Sequence, residues 1–247
     1  MAGTYLDGGL RPRRSSVMLF DIPWNLSSNW TFAWSILPIL LIGLEVTIKA
    51  TIFGFLLALI LGLPLALLRA VPFRIISWPT AVLIEFIRDT PLLVQVYFVY
   101  YVLPDYGLLF SAFLTGTIAL GIQYSAYTAE VYRAGLEAIP QGQWEAAKAL
   151  SLQTRRIYQD IVIPQAIPRI VPAMGNYLIS IIKDTPILSA VTVLEVLNVA
   201  KIIGDRTFRY LIPLSMVGGL FLILTVISSV LVRYIERRLP KEGIPLK

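Results

Sequence analysis

Two similar groups of charged residues stand inside apolar segments of the sequence. "FIRDTPLLVQ" covers residues 86–95 and "IKDTPILSAV" covers residues 182–191, and each contains a base, an acid, a threonine and a proline in that order. A charged side chain near the centre of a bilayer costs about 2.5–3.5 kcal/mol, so such residues usually face a bundle interior or a water-filled cavity. We therefore expect both quartets to lie at similar depth beside a polar interior.

The chemistry available to the two quartets is the binding of a charged solute. Because Pro91 and Pro186 lack an N–H group, we expect each helix to be kinked or broken there, with threonine as the N-cap of a new segment. The start of a helix favours an anionic group, and a nearby aspartate would meet an ammonium or guanidinium group. The candidate path residues are Arg88, Asp89, Thr90, Lys183, Asp184, Thr185 and Glu195.

These candidates have structural alternatives. The charges of each quartet can neutralise one another or a neighbour and stabilise the bundle, and Glu195 can form hydrogen bonds between helices. Two other acids are better explained by helical ion pairs: Glu45 with Lys49, and Glu130 with Arg133.

Composition excludes most enzymatic functions. The 247 residues are 57% apolar and only 15% charged, with a mean hydropathy of +0.74, which indicates an integral membrane protein. Cysteine and histidine are absent from the sequence, so disulfides, thiolate or imidazole catalysis and nearly all transition-metal sites are excluded. We expect neither catalytic residues nor a metal site. Basic residues are spread through loops rather than gathered on one polar domain, so nucleic acid is not an expected partner.

Five apolar windows are long enough to cross a membrane, which takes roughly twenty helical residues. The sequence therefore predicts an all-α, polytopic transmembrane bundle of about five spans within residues 31–239. Residues 1–30 are predicted to be a periplasmic tail, and residues 240–247 a cytoplasmic tail. Basic residues are more numerous in the loops on the C-terminal side, so we expect the N-terminus outside and the C-terminus in the cytoplasm. The predicted spans are 36–68, 79–102, 108–132, 173–200 and 211–232.

The loop between the third and fourth spans, about residues 134–171, has its own pattern. Residues 143–150 are predicted to form a short helix, and Thr154 is expected to cap a second helix that Pro164 ends. Two short helices with an apolar side form a rigid projection, which indicates a partner protein.

The same loop resembles the EAA motif of permease subunits of ABC importers, which reads E-A-A, three residues, Gly, nine residues, I-x-L-P. Ser151 occupies the glycine position, where a positive φ would cost a serine about 1 kcal/mol. Ile163 stands for the leucine, and the flanking residues are similar to the branch that serves polar amino acids. The matching or aligned residues are Gly142, Gln143, Glu145, Ala146, Ala147, Ser151, Ile161 and Pro164.

The resemblance implies a type I ABC importer permease of the bacterial inner membrane, importing polar amino acids or related zwitterions. Its coupling helix would dock on a dimer of ATP-binding subunits, which would hold ATP and Mg²⁺; no G-x-x-x-x-G-K-[ST] phosphate loop occurs in this sequence. Other implied partners are membrane lipid, a second permease subunit (homodimer or heterodimer) and a periplasmic or lipid-anchored solute-binding protein. The alternatives are an ion-coupled secondary transporter or channel, with Asp89, Asp184 and Glu130 carrying ions, and a membrane scaffold.

Overall fold

The computed structural model describes residues 28–239, and all regular elements of that part of the chain are helical. The predicted tails lie almost entirely outside the described residues. The α-helices of six residues or more are α1 (Asn29–Ala70), α2 (Arg74–Asp89), α3 (Leu92–Tyr97), α4 (Ala112–Glu137), α5 (Gln141–Ala149), α6 (Ile163–Asp184), α7 (Val196–Thr207) and α8 (Leu211–Arg238).

The helices make five passes, as the sequence predicts. Helices α1 and α4 run parallel, since Gly54 lies against Leu120 and Gly62 lies against Thr128. The α2–α3 pass, which comes between them in the sequence, runs in the opposite direction, since Arg88 lies at Tyr127 and Gln95 at Gln123. Helix α6 is antiparallel to α4, and α8 returns beside α6, where Val232 contacts Gly175. The chain therefore places residues 28 and 239 at opposite ends, and the end that carries α5 is called the loop side below.

Length and apolar composition alone would identify fewer passes. Within the described residues, α1 and α8 are each long and apolar enough to cross a membrane, and Thr154–Val191 with α7 forms a third candidate bent by 49°. The α2–α3 pass is interrupted, and α4 carries many polar side chains. These two passes supply most of the site described below.

Helix α1 is longer than its predicted span and packs closely on α4. Its 42 residues extend for about 63 Å at 1.5 Å per residue. A Cβ atom added at Gly62 would lie 2.0 Å from Thr128 Oγ1, so only glycine permits this approach. Thr128 Oγ1 also donates a hydrogen bond to the Ala58 carbonyl, 2.9 Å away. Small residues thus join the two parallel helices, as is usual where lipid offers no hydrophobic driving force.

The predicted fourth span, 173–200, is not one helix. Helix α6 continues into a 3₁₀ segment, Thr185–Val191, and the chain then turns at Thr192, whose φ is +63°, before α7 begins. Glu195 caps α7 with its side chain, which fixes the new helix start. Hydropathy does not detect this turn because the residues on both sides remain apolar.

Candidate functional site

The first quartet breaks its helix, as predicted. Helix α2 ends at Asp89, and Thr90 has extended backbone angles (φ −81°, ψ 125°) before α3 begins at Leu92. The predicted N-cap role of Thr90 is wrong, because Pro91 occupies the N-cap position. The Thr90 hydroxyl instead donates back to the Phe86 carbonyl at 2.6 Å.

A glutamine that sequence reasoning missed satisfies the broken ends. Gln95 Nε2 donates to the carbonyls of Ile87 at 2.9 Å and Thr90 at 3.2 Å, and it also contacts Gln123 Oε1 on α4. Carbonyls freed by a proline would otherwise lack partners in an apolar environment. The available signal was a glutamine in an apolar run just after a proline.

The second quartet behaves differently from the first. Thr185 is fully buried and begins a 3₁₀ segment, and its hydroxyl donates to the Ile182 carbonyl at 2.8 Å. The predicted N-cap role is wrong for Thr185 too, since Asp184 precedes the 3₁₀ segment. Helix α6 therefore tightens at Pro186 rather than breaking there, because proline is tolerated in the first turn of a new helical segment.

One charge from each quartet reaches the middle of α4. The guanidinium carbon of Arg88 lies 5.5 Å from the ring centroid of Tyr127, and Arg88 Nη1 pairs with Glu85 Oε1 at 3.0 Å. Asp184 Oδ2 accepts a hydrogen bond from the Tyr124 hydroxyl at 2.7 Å. Since Tyr124 and Tyr127 are one turn apart on α4, the two quartets lie at the same level, as expected.

Asp184 and the rings of Tyr124 and Tyr127 line a cleft of about 220 Å³, whereas Arg88 stacks on Tyr127 beside the cleft without lining it. Three tyrosine rings surround it: the ring centroids are 6.0 Å apart for Tyr124 and Tyr177, 5.5 Å for Tyr127 and Tyr177, and 5.8 Å for Tyr124 and Tyr127. Such rings attract cations through their faces, and their hydroxyls are hydrogen-bonding groups. The residues that line the cleft are Leu92, Gln123, Tyr124, Tyr127, Tyr177, Ser180 and Asp184.

Two other quartet residues lie on the outside of the single chain. Asp89 and Lys183 are both exposed, and neither lines the cleft. Arg88 pairs with Glu85 rather than with the adjacent Asp89. Arg88 is therefore neutralised by a neighbour, which is part of the structural alternative given for the quartets.

Glu195 has a structural role in this conformation. Its side chain is fully buried and accepts hydrogen bonds from the backbone N–H groups of Leu197 at 2.8 Å and Asn198 at 2.6 Å. The backbone N–H of Val196, the first residue of α7, donates to the Thr47 hydroxyl on α1 at 3.3 Å. Glu195 is thus the N-cap of its own helix, α7; among the described residues it neither lines the cleft nor forms the expected hydrogen bond between helices.

The predicted short helix of the loop is present as α5, which begins two residues earlier than expected. Ala147 is buried and packs with the cluster formed by Ile139, Ile157, Val162 and Ala166. Most of the other residues that carry the motif, Gly142, Gln143, Glu145 and Ala146 among them, are exposed. One side of α5 is therefore held by the bundle, and the opposite side is free for contact.

Ser151 adopts the conformation that the motif requires. Its φ is +55°, and its N–H donates to the Lys148 carbonyl at 2.9 Å to close the turn after α5. The expected left-handed bend is confirmed, and a serine adopts it at the cost of backbone strain.

The helix after this bend differs from the predicted one. Pro164 does not end it: residues Thr154–Arg156 continue through a π-helical segment, Ile157–Val162, directly into α6. The wider π turn leaves Pro164 in the first turn of α6, where its missing N–H is tolerated. The predicted capping role of Thr154 is also wrong, because Gln153 occupies the N-cap position without a side-chain hydrogen bond.

Specific contacts hold α5 against this continuous helix. The rings of Trp144 and Tyr158 pack edge-to-face with centroids 5.3 Å apart. Gln165 Nε2 donates to Gln143 Oε1 at 3.3 Å. Nearby, Arg169 donates to the Ala138 carbonyl. The loop and the start of α6 therefore form one packed unit, and α6 leads directly from it to Asp184 in the cleft.

The two predicted ion pairs are present. Lys49 Nζ lies 2.6 Å from Glu45 Oε1. Arg133 Nη2 lies 2.6 Å from Glu130 Oε2, and Arg133 also pairs with Glu137 at 2.6 Å. The Glu130 carboxylate thus belongs to an ion-pair network at the loop-side end of α4.

A five-pass helical bundle with a polar cleft at mid-depth and a rigid projecting loop defines a membrane permease. The family model described as "Binding-protein-dependent transport system inner membrane component" matches residues 58–241, and the chain belongs to this family.

Relatives and solved structures agree with this assignment. The chain is 57% identical over 231 residues to the probable amino-acid ABC transporter permease protein y4tG of Sinorhizobium fredii, covering 93% of this chain and 100% of that protein. It is 33% identical to the L-cystine transport system permease protein TcyB of Bacillus subtilis, covering 89% and 92%. A crystal structure of an amino acid ABC transporter with histidines matches with a TM-score of 0.77 and 36% identity over 82% of this chain and 94% of that chain. The MetNI methionine ABC transporter, at 17% identity and a TM-score of 0.73, shares the fold.

Proposed function

We propose that this chain forms half of the path of an ATP-driven importer for polar amino acids or related zwitterions. The observation that carries the proposal is a tyrosine-lined cleft that contains the Asp184 carboxylate and has Arg88 stacked on one of its lining rings, that of Tyr127. The names of the relatives, which include permeases for amino acids and cystine, support this solute class. The volume of about 220 Å³ is below the roughly 300–1,000 Å³ of pockets for drug-sized ligands, which suits a small solute.

The two charges match the two ends of a zwitterion. Arg88 Nε is buried and makes no hydrogen bond within the described residues, so a rearrangement that exposes it would present an unsatisfied donor to an incoming carboxylate. Guanidinium groups bind carboxylates in bidentate geometry, and such charge-assisted bonds are the strong ones. An ammonium group would be received by the Asp184 carboxylate and the faces of the tyrosine rings.

A second permease subunit would cover the exposed charges. Glu85, Asp89 and Lys183 are exposed on the single chain beside the quartets, where contact with lipid would be costly. A second copy, or a related permease, would place this face against a water-filled path between two subunits. The four remaining quartet candidates, Asp89, Thr90, Lys183 and Thr185, would then lie beside that path or support its wall.

The exposed side of α5 would dock on an ATP-binding subunit dimer. Glu145 and Ala146 face outward, while Ala147 anchors the helix to the bundle. ATP and Mg²⁺ would be held by that partner, so this subunit is not itself an enzyme. Movement of α5 would be transmitted through the unbroken helix from Thr154 to Asp184, and so would change the cleft.

The loop side would face the bacterial cytoplasm. Arginines at the described loop-side ends of α1, α4 and α8, together with those of the loop, support this orientation through the positive-inside rule. A periplasmic or lipid-anchored binding protein would then deliver solute at the opposite side, where α1 begins.

The test measures binding to the purified permease–ATPase complex without the solute-binding protein, so that only this site selects the ligand. Calorimetry would compare a polar amino acid with its carboxamide, in wild type and Arg88→Gln. We expect wild type to prefer the free carboxylate and Arg88→Gln to lose this preference, while Arg233→Gln, an exposed arginine on α8, retains it. An unchanged preference in Arg88→Gln would refute the assigned role of the cleft.

A further inference from the structure

A second polar cleft lies far from the solute cleft, at the loop side where α1 ends and α2 begins. Its volume is about 600 Å³. None of the six described residues that line it is acidic, and two are arginines. The cleft is lined by Arg69, Arg74, Ile75, Ser77, Trp78 and Ala81. Arg74 and Arg88 are fourteen residues apart on α2, which corresponds to about 21 Å, so the two clefts are separate.

The start of α2 adds further positive potential to this cleft. Helix α2 begins at Arg74, its first turn has no acidic residue, and the N-cap residue Phe73 makes no side-chain capping bond. The first N–H groups of a helix lack intrahelical partners and carry a partial positive charge. A basic residue at this end is unfavourable unless an anion lies nearby. Arg69 lines the same cleft, and none of the described lining residues carries a counter-charge.

The surroundings of the cleft are apolar, unlike those of a site for a free anion in water. Phe73 is 66% exposed, Ile75 85% and Trp78 69%, and Leu67 on the last turns of α1 is 53% exposed. Exposed tryptophan and aliphatic side chains beside arginines are typical of the boundary between hydrocarbon and headgroups. An anion that fits both the arginines and these side chains carries apolar chains.

We propose that this cleft binds the phosphate of an anionic phospholipid. The guanidinium groups of Arg69 and Arg74 pair with the phosphate oxygens, and the Ser77 hydroxyl donates a further hydrogen bond. The Trp78 ring packs beside the glycerol and upper acyl chains. Basic pockets between membrane helices bind acidic headgroups through the same chemistry.

The experiment is native mass spectrometry of the full chain, purified in complex with its ATPase from nanodiscs of phosphatidylglycerol and phosphatidylcholine. The test variant is Arg69→Gln/Arg74→Gln, and the matched control is Arg233→Gln/Arg237→Gln, which removes two exposed arginines from α8 at the same side. We expect the test variant to retain phosphatidylglycerol at least about 10-fold more weakly than wild type, because it loses charge-assisted hydrogen bonds from two guanidinium groups to one phosphate. The control should retain it within about 2-fold, and phosphatidylcholine should be retained weakly by all.

Three results would overturn the proposal. Equal losses in the test and control variants would show general attraction to an acidic surface rather than a site. Unchanged retention in the test variant would show that these arginines do not hold the lipid. Arginine-dependent binding of inorganic phosphate at millimolar concentration, without retained phosphatidylglycerol, would replace the lipid by a free anion. Solute binding at Arg88 is measured separately, so its failure would not affect this result.

Discussion

Replacing Asp184 with asparagine tests the cleft with little change in shape. Asparagine has the same size, and its amide oxygen can still accept the hydrogen bond that the Tyr124 hydroxyl now donates to Asp184 at 2.7 Å. What is lost is the negative charge, and with it a charge-assisted interaction with the ammonium group of the solute. Hydrogen bonds to charged groups contribute about 1.5–3 kcal/mol, which corresponds to roughly a 10- to 150-fold weaker apparent affinity.

The assay is ATP-dependent uptake of a labelled amino acid into proteoliposomes that contain the complete transporter. Asp205→Asn is the matched control, because Asp205 Oδ1 also accepts a hydrogen bond from a tyrosine hydroxyl, that of Tyr210, at an exposed position outside the cleft. We expect KM to rise for Asp184→Asn by the factor above, with assembly and basal ATP hydrolysis retained, and by much less for Asp205→Asn. Equal effects of the two substitutions would refute the reasoning that only Asp184 lies where solute binds.

Three substitutions test the fold itself, each by thermal unfolding in detergent. Ser151→Gly should stabilise the protein by about 0.5–1 kcal/mol, because relief of the backbone strain at positive φ in the folded state outweighs the larger conformational entropy that glycine gives the unfolded chain. A lower melting temperature would contradict this. Gly62→Ala should destabilise the protein by about 1–3 kcal/mol, because its Cβ would lie 2.0 Å from a threonine hydroxyl on α4. The control Gly218→Ala, whose Cβ would meet no described atom within 4 Å, should leave the stability unchanged, and equal melting temperatures of the two variants would refute the close packing. Gln95→Leu should destabilise by about 1–3 kcal/mol by leaving two carbonyls at the helix break unpaired, and a neutral result would mean that other groups satisfy them.

The sequence was sufficient to predict the features that depend on composition and local rules. Apolar windows indicated five passes, the cost of intramembrane charge indicated that the quartets share one depth, and the motif indicated the left-handed bend at Ser151. The break at Pro91 was also predictable, since proline both removes a donor and restricts the residue before it.

The remaining features depend on contacts between distant parts of the chain. Tyr124, Tyr127 and Tyr177 form the wall of the cleft, but tyrosines within spans are equally typical of helix packing until Asp184 and Arg88 are placed beside them. The caps were predicted wrongly for a related reason. Each quartet threonine donates its hydroxyl hydrogen bond to a carbonyl of the preceding helical turn. This bond competes with capping, and the sequence pattern alone does not show which of the two a threonine adopts.

Pro164 shows how a local rule is overridden. Proline commonly ends a helix, but the π-helical segment Ile157–Val162 absorbs the missing hydrogen bond, and α6 continues to Asp184. The functional consequence is large. An ended helix would separate the loop from the bundle, whereas the continuous helix, with its π-helical segment and its internal prolines Pro168 and Pro172, joins the loop to one wall of the cleft.

The most direct test of this link between the loop and the cleft is a distance measurement by double electron–electron resonance in the complete transporter. The sequence has no cysteine. Lys148→Cys on α5 and Asn176→Cys on α6, both at exposed positions, would therefore be the only sites that a thiol-reactive spin label modifies. We predict that the Lys148–Asn176 distance stays constant within about 2 Å when ATP is added, while the distance from Asn176 to the second permease subunit changes. A Lys148–Asn176 distance that changes with nucleotide, while the distance across the path stays fixed, would contradict rigid transmission from the loop to the cleft.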